Sequence, residues 1–291
     1  MADNSRAINR VFTRGVMTDL IARGSSDIYN NVVRRYVSEP ESKTHGQIIS
    51  EIYQCLGREH RNEYYYMNTL LNRLLCGNKH NVNTTTALSQ VRIGQHIADF
   101  VLLNGEGLVY EIKSDLDNYD RLFGQLEDYY KAFSKVAILA DVEERDKVER
   151  MLAGFGDMGA AVGLYDLTER NTISWVRGRE PKQFDDYLDH RCLFQILHKR
   201  EYENVVLKVF GELPQVAPVF YYRACLDQFM QIPIMKAQDM AIQELRKRNS
   251  ISRTVFEGIQ PEWRSTVYFA GLSGKWPQFQ ELLQSKYKGV M

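Results

Sequence analysis

The stretch Ile97–Lys113, IADFVLLNGEGLVYEIK, decides how this chain reads. It has the form of two short strands joined by a tight turn, with Asn104, Gly105 and Gly107 as turn formers. Side chains alternate between the two faces of a strand. Glu111 and Lys113 therefore share one face of the second strand, and Tyr110 and Ile112 share the other. Pairing across the turn brings Asp99, on the first strand, level with Glu111. Two carboxylates and an ammonium then converge on one patch.

Working outward, residues 62–76 read as a helix closed by Gly77. Its apolar stripe is Glu63, Tyr66, Met67, Leu70, Leu71 and Leu74. A carboxylate in such a stripe is costly unless paired or near a cation. The competing reading is a helix-start Glu that uses the positive end of the helix dipole. On the far side, residues 116–134 read as a helix with Leu122, Gln125, Leu126, Tyr129 and Phe133 inward. Gln125 and Tyr129 stand one turn apart on one face. Strands are expected at 87–93, 135–140, 160–166 and 172–176, with a helix at 142–155. The first three strands suit a meander. The helix after them is a crossover that makes the fourth strand parallel. The expected fold is α/β, a mixed central sheet flanked by helices.

The flanks are helical. Residues 5–24 and 26–37 form a helix pair split at Gly24, read as a packing arm in preference to a helix-turn-helix. Residues 38–46 form a polar hinge, and beyond Gly178 helices are expected at 182–199, 202–210, 217–230, 235–249 and 277–288. The expected domains are an N-terminal helical arm over 1–45, a core over 46–178 and a helical region over 179–291. Trp263 and Trp276 read as core or interface anchors. Tyr64, Tyr65 and Tyr66 read as packing residues in preference to a base-stacking platform.

Composition bounds the class. The 291 residues carry 37 basic and 37 acidic side chains, a net charge of zero. That counts mildly against a strong non-specific nucleic-acid binder. Acidic residues gather at 115–128 and 141–149, and basic ones at Arg34-Arg35 and Arg246-Lys247-Arg248. This distribution suits a cation site with phosphate-holding arms and suits solvated helices equally well. No apolar run nears the ~18 residues of a membrane span, and the N-terminus lacks the apolar core of a signal peptide. Cys55, Cys76, Cys192 and Cys225 are scattered, with no C-x-x-C pair. A reducing cytoplasm is the expected compartment. The histidines show no ligand spacing; His96, near Asp99, either lines the cleft or packs.

Asp99, the Glu111-Ile112-Lys113 tripeptide, the preceding Glu63 and the following Gln125 with Tyr129 resemble the PD-(D/E)XK nuclease superfamily, in its RecB-like Q-x-x-x-Y variant. The likeness covers residues 62–141. The wording HGQIISEIY, RNEYYYMN, ADFVLLNG and VYEIKSDLDN also resembles a bacterial and phage-encoded subgroup. Ala98 stands where the family's motif has proline. The resemblance implies a restriction-endonuclease-like fold and a metal-dependent nuclease, with DNA favoured over RNA, in phage–host conflict. It implies Mg²⁺ (or Mn²⁺) held by Asp99, Glu111 and the Ile112 carbonyl, with Glu63 ligating through water or completing the shell. Mg²⁺ prefers hard oxygen ligands and retains water, and a second ion suits phosphoryl chemistry. Lys113 is expected to position or deprotonate the attacking water and to stabilise developing charge. The resemblance implies that Gln125 and Tyr129 orient the active-site strand and its lysine or touch the substrate backbone. The alternatives are a non-catalytic inhibitor or immunity-type module on the same fold, and an RNA-directed toxin. The helical flanks are expected to supply protein-partner contacts or homodimerisation.

Overall fold

In the computed structural model, residues 8, 10–59, 61–76, 81–113, 119–168, 172–249 and 251–289 are described. Helices Arg14–Arg23 (α1), Asp27–Tyr36 (α2), His45–Glu59 (α3) and Glu63–Leu75 (α4) come first. Thr13 caps α1, accepting from the Val16 N–H, so within the expected helix over 5–24 residues 10–13 form a turn and α1 starts at Arg14. Residues 5–7 and 9 of that expectation, and the expected cap Gly77, lie outside the described residues.

The sheet follows, in strand order β1 to β6: Thr86–Ile93, His96–Asn104, Glu106–Lys113, Lys135–Asp141, Gly163–Leu167 and Ile173–Arg179. The first three strands are antiparallel. Gly94 and Gly105 supply the left-handed turn residues between them, with φ of 58° and 75°. The crossover helix Leu122–Tyr130 (α5) makes β4 parallel to β3, as the sequence predicts. Residues 116–118 of the predicted helix lie outside the described residues. Helices Arg145–Ala153 (α6) and Gly156–Ala161 (α7) lead to a parallel β5, and β6 returns antiparallel.

Helices His190–Gln195 (α8), Lys199–Phe210 (α9), Pro218–Phe229 (α10) and Ile234–Leu245 (α11) come next, then Arg253–Gly258 (α12), Arg264–Phe269 (α13) and Trp276–Gln284 (α14). The predicted helix over 182–199 starts only at His190. The N–H groups before it bond to distant carbonyls instead: Lys182 to Ala161, Phe184 to Ser134 and Asp189 to Lys131. The Asp189 carboxylate then caps α8 through the Cys192 N–H at 2.8 Å. The fold is mixed α/β with helical N- and C-terminal parts. Among the described residues no helix is long and apolar enough to cross a membrane.

The chain divides into two units, and not where composition suggests. One is residues 84–250: the sheet with α5 to α11. Val101, Val109, Val136, Ile138 and Leu164 from the strands share an apolar core with Leu122, Leu126 and Phe133 around α5 and with Leu193, Phe194, Phe229 and Ile242 from α8, α10 and α11. The other unit joins residues 1–83 with 251–291. Its core stacks Tyr64 on Phe12 at 5.2 Å and sets Trp263 against both Phe12 and Phe279. Tyr64, Tyr65 and Tyr66 thus pack, as expected. The predicted border at 178–179 falls inside the first unit, and α3 and α4 belong to the helical unit, not to the sheet.

Asn68, fully buried on α4, ties the two ends of the helical unit together. Its amide donates to Tyr53 and to the Pro261 carbonyl at 2.8 and 3.0 Å, and its carbonyl accepts from the Ser265 N–H at 3.0 Å. Replacing it leaves buried main-chain groups without partners. Asn68→Leu is expected to destabilise the protein by about 3 kcal/mol, read from the urea midpoint.

Candidate functional site

The site begins with strand alternation. Glu111 and Lys113 point from β3 toward α5, while Tyr110 turns the other way, into an aromatic cluster with Phe100 and Tyr165. On the neighbouring strand β4, Ile138 and Ala140 stand level with Glu111 and Lys113. The pair is therefore almost dry: Glu111 is 2% exposed and Lys113 5%. The Lys113 Nζ lies 2.8 Å from Glu111 Oε1.

A buried ion pair needs further hydrogen bonds to offset its desolvation. Helix α5 supplies them from two consecutive turns. Gln125 offers both halves of its amide: Oε1 accepts from Lys113 Nζ at 2.9 Å, and Nε2 donates to Glu111 Oε1 at 2.6 Å. One turn on, the Tyr129 hydroxyl lies 2.6 Å from Glu111 Oε2 and 2.8 Å from the Ile97 carbonyl, and its single proton serves these acceptors. Burial, then the Glu111 charge and hydrogen bond, then Asp99, push the Tyr129 hydroxyl far above its ordinary range. It remains a donor at every working pH.

Asp99 enters where two strands part. The β2–β3 ladder has its last rung at Phe100 and Tyr110, and Asp99 and Glu111 come next along. There the Asp99 carboxylate accepts the Ile112 N–H at 2.8 Å, in place of a main-chain carbonyl. On the other flank, Gln90 falls between the Ser89–Phe100 and Val91–Ala98 rungs, so it stands opposite Asp99. Gln90 has φ of 54°, a conformation disfavoured for a residue with a Cβ. The sheet is thus distorted on both sides of Asp99.

A second cluster sets the position of α5. Asp128, also buried, accepts from Lys131 Nζ at 2.7 Å, from the Gln95 N–H at 2.8 Å, and meets His96 Nδ1 at 2.7 Å. This fixes the helix to the β1–β2 turn. His96 therefore holds Asp128. Gly94 is required at that turn, because a Cβ there would lie 2.6 Å from the Asp128 carboxyl carbon. Burial alone raises the Asp128 carboxyl, but the bonds from Lys131, His96 and Gln95 outweigh it and hold it below the ordinary range. Sequence reading missed both Asp128 and Gln90. The Gly94 turn beside His96 was the available signal for the first; nothing in the sequence marked the second.

Glu63 departs from the expected pattern. It is exposed at the first position of α4, where Asn62 caps the helix, and belongs to the helical unit. Its carboxylate suits the positive end of the helix dipole, so the helix-start reading accounts for it. Among the described residues no group of three or more His, Cys, Asp or Glu side chains is placed to hold a cation. Beside the Glu111–Lys113 pair, β2 and β3 offer the Asp99 and Glu111 carboxylates as oxygen donors. The basic run Arg246-Lys247-Arg248 is engaged within the fold: Arg246 bonds the Thr84 carbonyl, Lys247 pairs with Glu244, and Arg248 grips Glu201 through two bonds of 2.7 and 2.6 Å. These contacts favour the structural reading of that run over phosphate-holding arms.

Two expectations follow. Tyr129→Phe keeps the shape but removes the donor to Glu111 and Ile97, and is expected to cost about 1–3 kcal/mol in chemical denaturation. The stability carried by Asp128 is complete above the ordinary aspartate range near pH 4 and is lost as pH falls through its lowered value. Asp128→Asn is accordingly expected to lower the urea midpoint at pH 7 and to flatten its decline below about pH 4.

No curated protein and no solved structure matches the chain. A family model, described as bacteriophage P4 protein cII, matches residues 57–265. That span is well over half the chain and takes in α4, the whole sheet and the helices through α12. The chain belongs to the bacteriophage P4 protein cII family.

Proposed function

We propose that this protein is a metal-dependent nuclease of PD-(D/E)XK type, hydrolysing phosphodiester bonds with DNA favoured over RNA. The observation that carries the reading is the buried Glu111–Lys113 pair bracketed by Gln125 and Tyr129, with Asp99 on the adjoining strand. The donor chemistry fits a hard cation, since Mg²⁺ is commonly bound through one or two carboxylates and keeps its remaining waters. Asp99 and Glu111, with the Ile112 carbonyl, would hold Mg²⁺ or Mn²⁺. Such an ion neutralises phosphate charge and makes bound water a better nucleophile. Lys113 holds its ammonium beside Glu111 and would donate to the developing charge on the phosphate. Gln125 fixes the direction of that ammonium, and Tyr129 fixes the Glu111 carboxylate. The scattered free cysteines suit a cytoplasmic setting. The family's phage name supports a role in phage–host conflict.

One observation favours a second reading, a non-catalytic protein-binding module on the same fold. Both Glu111 oxygens already accept hydrogen bonds, Oε1 from Lys113 and Gln125 and Oε2 from Tyr129. A cation has to compete with those donors.

The test is cleavage of plasmid DNA, linear DNA and RNA with Mg²⁺, Mn²⁺ or EDTA. Wild type is expected to cleave only with metal. Asp99→Asn and Lys113→Ala are each expected to lose about 100-fold or more, with folding checked by circular dichroism. A wild type inert under every condition supports the binding-module reading. Equal cleavage by all three proteins overturns the assignment of the site.

A further inference from the structure

Among the described residues of the sheet unit, the most exposed large apolar side chains lie on α10. Val219 is 79% exposed and Phe220 64%. Leu207 and Phe210, on the last turns of α9, and Val216, on the connection between the helices, are exposed at the same end of this helical hairpin. At the other end Met230 and Met235 are exposed. Isolated exposed apolar residues need no explanation, but a concentration of them marks an interaction surface.

The order of residues along this face says what it fits. Phe220, Arg223, Asp227 and Met230 recur at three- and four-residue steps, so they form one stripe along α10 and its C-cap. The apolar residues sit at the two ends. Arg223 and Asp227 sit in the middle, exposed, 2.9 Å apart and of opposite charge. An antiparallel copy of the same stripe, related by a two-fold axis at the level of residue 225, sets Arg223 against the partner's Asp227 and Asp227 against the partner's Arg223. The same operation sets Phe220 against the partner's Met230. A parallel copy sets like charge on like charge. The pattern is self-complementary, as an isologous interface requires.

We propose that α10, with the adjoining end of α9, is a homodimer interface in which two copies pair antiparallel about a two-fold axis. The Arg223–Asp227 pairs close in a four-charge ring at the centre, and the apolar ends cover one another. This face is separate from the Glu111–Lys113 site, and the proposal stands whether or not that site is catalytic.

The test is sedimentation equilibrium of the full chain from about 1 to 100 µM, the range where moderate dimers dissociate. Wild type is expected to dimerise. Phe220→Asp is expected to weaken the dimer at least about tenfold, the effect of replacing a buried aromatic anchor by a charge. Arg223→Glu and Asp227→Arg are each expected to weaken it, and the double variant with both changes is expected to restore it. All these positions are exposed, and circular dichroism confirms that the variants fold. A wild type monomeric throughout overturns the proposal. A dimer indifferent to Phe220→Asp, or a charge swap that fails to restore association, overturns it as well.

Discussion

The buried ion pair between Glu111 and Lys113 is the constraint from which the rest of the sheet unit follows. Two charges taken out of water are tolerated only where their remaining donors and acceptors are met. Strand β3 cannot meet them, because both side chains leave it on the same face and its neighbour β4 offers only Ile138 and Ala140 there. The partners must come from a helix laid over that face and rotated so that two successive turns look down on it. Gln125 and Tyr129 do this. The rotation of α5 is in turn held by Asp128, which grips the β1–β2 turn and requires glycine at position 94.

Stability alone does not account for this set. A buried ion pair is often no more stabilising than well-packed apolar residues of similar volume. The strained Gln90 beside Asp99 adds a further local cost. Polar residues kept at such cost point to chemistry, and the proposed nuclease reading rests on that argument together with the donor types. The hydrogen bonds that Glu111 accepts from Lys113, Gln125 and Tyr129 give the site its order. Burial and the Glu111 charge raise the Tyr129 hydroxyl far above its ordinary range, so it keeps its proton.

The division of the chain has a different origin. The helical unit is closed by its own ends. Phe12 and Trp263 pack together, the Thr266 hydroxyl bonds the Phe12 carbonyl, and Thr44 pairs with Lys286. The helices from α8 to α11 instead cover the sheet, and Gln238 on α11 bonds both Ser134 and the Ala132 carbonyl just after α5. A helix-rich composition on both sides of the sheet hides this exchange, because amphipathic helices look alike whichever core they cover.

The strand alternation of Ile97–Lys113, its glycine turn, the crossover helix and the shared face of Gln125 and Tyr129 were all legible in the sequence, because each is a local periodicity of two or of 3.6 residues. The convergence of Asp99, Glu111 and Lys113 followed from the same rule. Glu63 was expected on the buried stripe but is exposed, because a helix's first turn satisfies the same spacing as its buried face yet reaches solvent. The domain borders, the role of Asp128 and the distortion at Gln90 were decided only in three dimensions. Each depends on groups distant along the chain, or on a backbone twist where β2 leaves β3, and no local pattern records which carbonyl or carboxylate an N–H will find.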